Sequence, residues 1–374
     1  MYKFNLVAPC IFGVESIAAD EFKRMGFTDV VTENGRVLLS GDANMLARAN
    51  ICSRFAERIL INIGEFEATS FTELFDGVKA IAWENFIGKD DAFPVNGWSI
   101  NSQLHSIPDC QSIIKKAIVE RLKLKYNIMR FAETGTEYKV RFSIHKNIVT
   151  MMIDTSGDGL HKRGYRRNSN DAPIKETLAA SMCDLARIFP DTVFYDPFCG
   201  SGTLLIESAL MAKNIAPGLR RYFAAERFAF LDDKIWREER TRAQDLIRKN
   251  ITFQAHGFDI DKNAVELTLA NAKKAGVEKY ITSSVADIKE FKPIDDRCVT
   301  VTNPPYGERL LDVKAAEELY RIMGERFKRE NGQKYYIISP HDEFEKHFGS
   351  TADKRRKLYN GMLKCQLYMY FKKP

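Results

Sequence analysis

Paired cysteines are missing from this chain. Its seven cysteines (Cys10, Cys52, Cys110, Cys183, Cys199, Cys298 and Cys365) stand singly, with no CxxC pair and an odd total. That pattern excludes a disulfide framework and a cysteine-based zinc site, and it points to a reducing compartment, the cytoplasm. Histidine is scarce, six in all, and His161, His256 and His341 show no ligand-like spacing, so no metal is expected. Long hydrophobic runs are also lacking. The longest uncharged stretch near the start, Phe4 to Gly13, runs directly into Glu15, Asp20 and Glu21. It reads as a strand leading into a helix and not as a signal peptide; nothing approaches the length of a membrane span, and no membrane partner is expected. There is no internal repeat and no low-complexity segment.

What is present is an ordinary globular composition, 45% apolar and 28% charged over 374 residues, long enough for two or three units with independent cores. The net charge of +6 is modest, but it is unevenly placed: residues 1–160 hold 18 Lys/Arg against 20 Asp/Glu, residues 161–374 hold 38 against 30. Within the first part, Lys115 to Lys146 concentrates nine basic residues against three acidic ones. Such clusters can meet phosphates, although for any one of them a solvated helix face is the favoured reading.

Apolar periodicity and turn residues divide the chain. Up to about residue 156, strands (3–11, 36–40, 59–64, 93–100 and a hairpin 138–145/148–154) alternate irregularly with helices (14–25, 43–58, 72–85, 109–126), an α+β texture. A turn at Ser156-Gly157-Asp158-Gly159 and a basic stretch, His161 to Arg167, follow. Beyond it, short apolar strands (193–196, 255–260, 281–285, 298–302, 335–339) alternate with helices (203–213, 263–275, 315–330). This argues for a mainly parallel, doubly wound sheet, closed by an antiparallel hairpin over 357–371 that turns at Asn360-Gly361.

The first chemical signature is Asp196-Pro197-Phe198-Cys199-Gly200-Ser201-Gly202-Thr203, which follows a strand and opens a helix. Gly200 and Gly202 let the backbone pass close to a ligand. The third glycine of a dinucleotide fingerprint is replaced by Leu205, and no Lys-Ser or Lys-Thr follows as in a phosphate-binding P-loop. A phosphate-free adenosyl ligand fits better, its amino group on Asp196 and its ribose on an acid at the end of the next strand. Asp259, followed by Ile260, occupies that place. The 63 residues from Asp196 to Asp259 far exceed the usual ~20, which implies an insertion around 214–250 with an extra charged helix. Asp287, after the third strand, is placed to accept from an adenine amine. Each of these aspartates could equally cap a helix or turn.

The second signature, Asn303-Pro304-Pro305-Tyr306, ends the strand 298–302, where ligands of such sheets bind. Two prolines fix φ and remove backbone donors, holding the Asn303 amide oxygen and the Pro304 carbonyl as a rigid acceptor pair. That pair suits a planar, ring-conjugated amine. Accepting its two hydrogens pulls the nitrogen toward tetrahedral geometry and frees its lone pair, with Tyr306 stacking on the ring.

Together the two signatures resemble class I amino-methyltransferases, which act on adenine N6, guanine N2 or glutamine amide. The runs Gly157–Arg166, Ala172–Ala180 and Asn303–Leu310 narrow the resemblance to bacterial THUMP-domain 23S rRNA guanine-N2 methyltransferases, over essentially the whole chain. The resemblance implies an α/β fold: a Rossmann-like class I methyltransferase domain (157–374) preceded by an α+β ferredoxin-like segment (1–44) and a THUMP RNA-binding domain (45–156). It implies S-adenosylmethionine as cofactor, held by Lys175, Thr177, Asp196, Pro197, Gly200, Ser201, Gly202, Thr203, Asp259, Ile260, Asp287 and Asn303. It also implies catalysis by Asn303, Pro304 and Tyr306, and RNA as partner, namely large-subunit rRNA or its assembly intermediate. Lys162, Arg163, Arg166 and Arg167 are expected to meet RNA phosphates, where counterion release favours them. Some relatives carry a second fused methyltransferase domain that this sequence does not show. Three other readings stand beside this one: an adenine-N6 methylase of DNA or RNA, a protein glutamine methylase, and a non-catalytic RNA-binding assembly factor.

Overall fold

A computed structural model describes residues 3–166, 174–293, 297–306, 313–328 and 332–371. Arg167 and residues 307–312, with Glu308 and Arg309, lie outside them. Two seven-stranded sheets account for the strands of these residues.

The first sheet contains β1 (Phe4–Pro9), β2 (Val30–Glu33), β3 (Arg36–Gly41), β4 (Leu60–Glu67), β5 (Val95–Ile100), β6 (Val140–His145) and β7 (Ile148–Asp154), in the order β2-β3-β1-β4-β7-β6-β5. Its helices are α1 (Glu15–Arg24), α2 (Ala43–Cys52), α3 (Phe71–Ala80) and α4 (Ile107–Tyr126). Strands β1 to β4 with α1 and α2 make a βαββαβ unit, the ferredoxin-like pattern. A division at residue 44 cuts this unit, because α2 and β4 complete it. The far edge of β4 then pairs with β7, so one strand serves both N-terminal units and no seam separates them. Strand β2 escaped the sequence reading since its residues are mostly exposed and show no apolar alternation.

The second sheet contains β8 (Val193–Asp196), β9 (Gln254–Asp259), β10 (Ile281–Val285), β11 (Val299–Thr302), β12 (Lys334–Ser339), β13 (Lys354–Asn360) and β14 (Leu363–Tyr370), ordered β10-β9-β8-β11-β12-β14-β13. The first five are mutually parallel and β14 runs against them. All four residues of β11 are buried, as expected for a strand covered by helices on both faces. The helices of this half are α5 (Glu176–Leu185), α6 (Thr203–Ala212), α7 (Lys234–Asp245), α8 (Lys262–Ala275), α9 (Val313–Arg326) and the short α10 (Phe344–Phe348). Strand order reverses between β8 and β11, and at such a switch point the carboxyl ends of the strands open a crevice.

The insertion inferred between β8 and β9 joins the two halves of the molecule. Arg48 of α2 forks onto the buried Glu239 of α7 at 2.8 and 2.7 Å. Phe228 stacks on Tyr138 with ring centroids 4.3 Å apart, and Gly218 N–H donates to the Ile51 carbonyl at 2.8 Å. Trp236 is buried against Phe223, whereas Trp98 is 45% exposed on the edge strand β5.

Candidate active site

At the switch point lies a cavity of about 1410 Å³. Pockets for one small ligand run to roughly 300–1,000 Å³, so this one has room for a cofactor and a second planar group. Asp196 at the end of β8, Asp259 at the end of β9, Asp287 beyond β10 and Asn303 beyond β11 all line it, with Gly200, Ser201, Thr203, Ile260, Pro304 and Tyr306.

The glycine loop is held from outside its own sequence. Gly200 N–H donates to Asp259 Oδ2 at 2.9 Å, and Cys199 N–H donates to the Phe258 carbonyl at 2.9 Å. From α8, Thr268 Oγ1 donates to the Gly200 carbonyl at 2.9 Å and Asn271 Nδ2 to the Ser201 carbonyl at 3.0 Å. Gly202, with φ +80°, begins α6, and a Cβ there would stand 2.9 Å from Thr268 Cγ2; only glycine fits both demands. Neither Thr268 nor Asn271 was found from sequence. Their signal was present: two polar residues three apart on the buried face of an otherwise amphipathic helix.

Asp196 is 1% exposed. Its Oδ1 accepts from Thr302 Oγ1 at 2.7 Å and from Phe198 N–H at 3.2 Å. Burial still dominates and pushes the carboxyl up to about 7. A carboxylate so placed lacks a counter-charge, which an ammonium group in the cavity would supply. Asp259 also accepts from Asp261 N–H at 3.0 Å, and Asp287 caps the turn after β10 through Lys289 N–H at 2.9 Å. Both aspartates thus do local work, and each retains acceptor capacity beyond it.

Asn303 Oδ1 is buried and has no hydrogen-bond partner among the described residues. A buried amide oxygen left unmade costs about 1–3 kcal/mol, so this acceptor awaits a donor from a ligand. The prolines explain how the loop holds it there. Tyr306 is fixed at its far end, its phenol oxygen accepting from Asn360 Nδ2 at 2.6 Å. Asn360 was read as half of a turn. The strands in fact pair up to Asn360 and Leu363, so the chain reverses on Gly361 and Met362, with a positive φ at Gly361 alone. That is the geometry of a two-residue turn with glycine first, and it leaves the Asn360 side chain available to the cavity.

Three of the residues expected to hold the cofactor are not in the cavity lining. Thr177 does not reach the cavity: it is fully buried and its hydroxyl donates to Glu57 Oε1 at 2.5 Å. Pro197 is buried and Gly202 is absent from the lining, whereas Lys175 lines the cavity with Nζ 3.4 Å from Glu57. Glu57 therefore ties the N-terminal half to the rim of the site. Burial alone would raise its carboxyl; hydrogen bonds from His161 and Thr177 and the Lys175 charge outweigh it and hold the group down at about 2. Two of the basic residues expected to meet phosphate face inward. Arg163, 7% exposed, donates to the Leu160 and Arg54 carbonyls and pairs with the buried Glu207 at 3.6 Å. Arg166 donates to the Ile174 carbonyl and Thr203 Oγ1 and pairs with Glu176. Lys162 is exposed, beside Asp158.

One group of metal-ligating type converges among the described residues: Glu317, His341 and His347. Both imidazole Nε2 atoms approach Glu317 Oε1, at 3.6 and 3.4 Å. His341 Nδ1, however, accepts from Glu343 N–H at 3.2 Å. The neutral ring then carries its proton on Nε2, toward Glu317, and offers no lone pair there.

The reversed strand order, the glycine loop and the rigid acceptor beside it define a Rossmann-like class I methyltransferase. Three family models match in succession: an RlmL ferredoxin-like domain over residues 5–60, a THUMP domain over 68–154, and an RMKL-like methyltransferase domain over 163–369. The Bacillus subtilis (strain 168) protein named "Putative RNA methyltransferase YpsC" is 41% identical over 100% of this chain and 97% of its own length. Among solved structures, a Clostridium difficile 630 protein described as a possible methylase superposes with TM-score 0.95 at 43% identity, covering 100% of this chain and 99% of the other. The protein SMU.472, described as "a putative methyltransferase" and solved with S-adenosylhomocysteine, gives 0.94 at 41% identity, with 100% and 99% covered. A Listeria monocytogenes str. 4b F2365 protein described as a predicted N6-adenine-specific DNA methylase gives 0.93 at 44%, with 100% and 97% covered. The chain belongs to the RMKL-like methyltransferase family, in the form that carries ferredoxin-like and THUMP domains ahead of the catalytic unit.

Proposed function

We propose that this protein methylates the exocyclic amine of a base in RNA, with guanine N2 of large-subunit ribosomal RNA as the acceptor. The observation that carries the reading is the buried Asn303 Oδ1, without a partner among the described residues, beside the glycine-loop cavity. The cofactor is S-adenosylmethionine, which when bound supplies an electrophilic methyl group. In this reading Asp196 receives the cofactor's amino group, Asp259 its ribose hydroxyls and Asp287 its adenine amine. Asn303 Oδ1 and the Pro304 carbonyl accept the two hydrogens of the target amine, drawing its lone pair out of the ring. No general base is needed before transfer, because the amine is activated by position and by fixed dipoles. Tyr306 stacks on the target base, which must be flipped out of any helix to arrive there.

RNA is favoured as acceptor by the THUMP domain and by the name of the Bacillus relative; guanine N2 is favoured by the motif runs quoted above. The description of the Listeria relative favours adenine N6 in DNA as the second reading. Mass spectrometry of nucleosides decides between them. Ribosomal RNA from cells lacking the protein should lose N2-methylguanosine at one site, while N6-methyladenine in DNA stays constant; the opposite result overturns the reading. Asn303→Ala should lower transfer by about 10²–10³-fold.

A further inference from the structure

Asn360 lies 54 residues beyond Tyr306 in sequence, and its Nδ2 donates to the phenol oxygen at 2.6 Å. Both residues line the same cavity. Tyr306 sits on a loop, whereas Asn360 ends a strand that is paired along its whole length with β14. The strand is also braced from the N-terminal half. Arg356 Nε donates to the Gly13 carbonyl at 2.8 Å and its terminal nitrogen to Ser16 Oγ at 3.0 Å. The rings of Tyr359 and Phe12 meet edge to face at 6.0 Å. Asn360 is thus a fixed point and Tyr306 the side chain that needs fixing.

A tyrosine ring turns about two torsions, and a bond at its far end restrains both together. A ring that must offer one face to an incoming base gains from being set before the base arrives, since misplacement of a positioning group by about 1 Å can cost 10²-fold in rate. The Asn360 amide supplies such a bond here. The hairpin turn contributes by where it reverses: with the reversal on Gly361 and Met362, Asn360 remains on the strand with its side chain turned to the loop.

We propose that Asn360 is a positioning residue for base methylation, holding the Tyr306 ring in its stacking orientation through the phenol oxygen. The proposal rests on the base-methylation reading above and deepens it.

The test is a double-mutant cycle of Asn360→Ala and Tyr306→Phe, assayed with RNA isolated from cells lacking the protein. If one bond carries the effect, each single variant lowers kcat by about tenfold, and the double variant falls no further than the worse single. Affinity for S-adenosylhomocysteine stays within about twofold in all three, which also shows that the catalytic unit is folded. Full activity of Asn360→Ala, or effects that multiply in the double variant, overturn the proposal while leaving the methylation reading intact. An inactive wild type on RNA overturns the reading instead. Hydrogen exchange over residues 299–306 with S-adenosylhomocysteine bound needs no methyl acceptor: Asn360→Ala should speed it, and unchanged exchange refutes the tether.

Discussion

Asp196 makes cofactor binding depend on pH in a way that can be worked out from its surroundings. Burial lifts its carboxyl to about 7 against an ordinary value of 3.8, so in the ligand-free protein it is half protonated near neutrality. Pairing with a cationic amino group requires the carboxylate, hence binding must expel the proton below pH 7. The apparent Kd then scales as 1 + 10^(7 − pH). Between pH 7.5 and 5.5 that factor grows from about 1.3 to about 33, a weakening of about 25-fold or ~2 kcal/mol. Titration calorimetry with S-adenosylhomocysteine, in two buffers of different ionisation enthalpy, reads both the slope and the proton released. The sign for stability is opposite. A carboxyl raised from 3.8 to about 7 favours the folded state only where it is protonated. That contribution is fully present below about pH 4 and is lost as pH rises through 7, at ~1.4 kcal/mol per unit, or about 4 kcal/mol in all. Asp196→Asn should therefore raise the Tm of the free protein at pH 8 while weakening cofactor binding and flattening its pH dependence. A flat Kd in the wild type, or a slope that survives in Asp196→Asn, refutes the pairing.

Gly202→Ala combines a left-handed φ of +80° with a Cβ 2.9 Å from Thr268 Cγ2; it should destabilise by about 2–3 kcal/mol in thermal unfolding, more than Gly200→Ala, whose Cβ meets open space at φ +52°. Equal losses of Tm would show that the Thr268 contact is unimportant. Arg163→Ala removes the guanidinium paired with the buried Glu207 and leaves that carboxylate the Tyr165 hydroxyl, at 3.0 Å, as its hydrogen-bond donor among the described residues. Such an uncompensated buried charge should cost about 3–5 kcal/mol of stability, whereas Lys162→Ala should be nearly neutral for folding and lower the salt slope of RNA binding by about 1. An Arg163→Ala protein of normal Tm with weakened RNA binding would reverse that assignment.

The catalytic sheet was legible because its strands are short, apolar and punctuated. Val299–Thr302 is buried on both faces, so its composition alone marks it, and the glycine loop follows β8 within a few residues. The closing hairpin was legible as a hairpin but not in its register. Asn-Gly is the strongest local turn signal, yet the reversal lies one residue later, because β14 is also zipped to β12 from Tyr370 to Gln366 and that pairing fixes which residues remain for the turn. The first sheet shows the same limit at larger scale. A strand shared by two units, as β4 is, carries no mark in its own sequence of where one unit ends.

The site divides along the same line. Residues that act through consecutive backbone, such as Gly200 and Gly202, are visible as a motif, since the motif is the mechanism. Those that hold the motif in place come from elsewhere: Thr268 and Asn271 from α8, Thr302 from β11, Asn360 from the hairpin. The basic stretch fails for a related reason. Sequence gives the sign of a charge but not its address, and Arg163 and Arg166 find carboxylates 44 and 10 residues away before any phosphate. A buried cation already matched to a buried anion cannot reach a phosphate to neutralise it, and so releases none of the counterions condensed on RNA. Electrostatic contact with RNA therefore has to come from the exposed lysines and arginines. In the linker, among the described residues, that leaves Lys162 rather than Arg163 or Arg166.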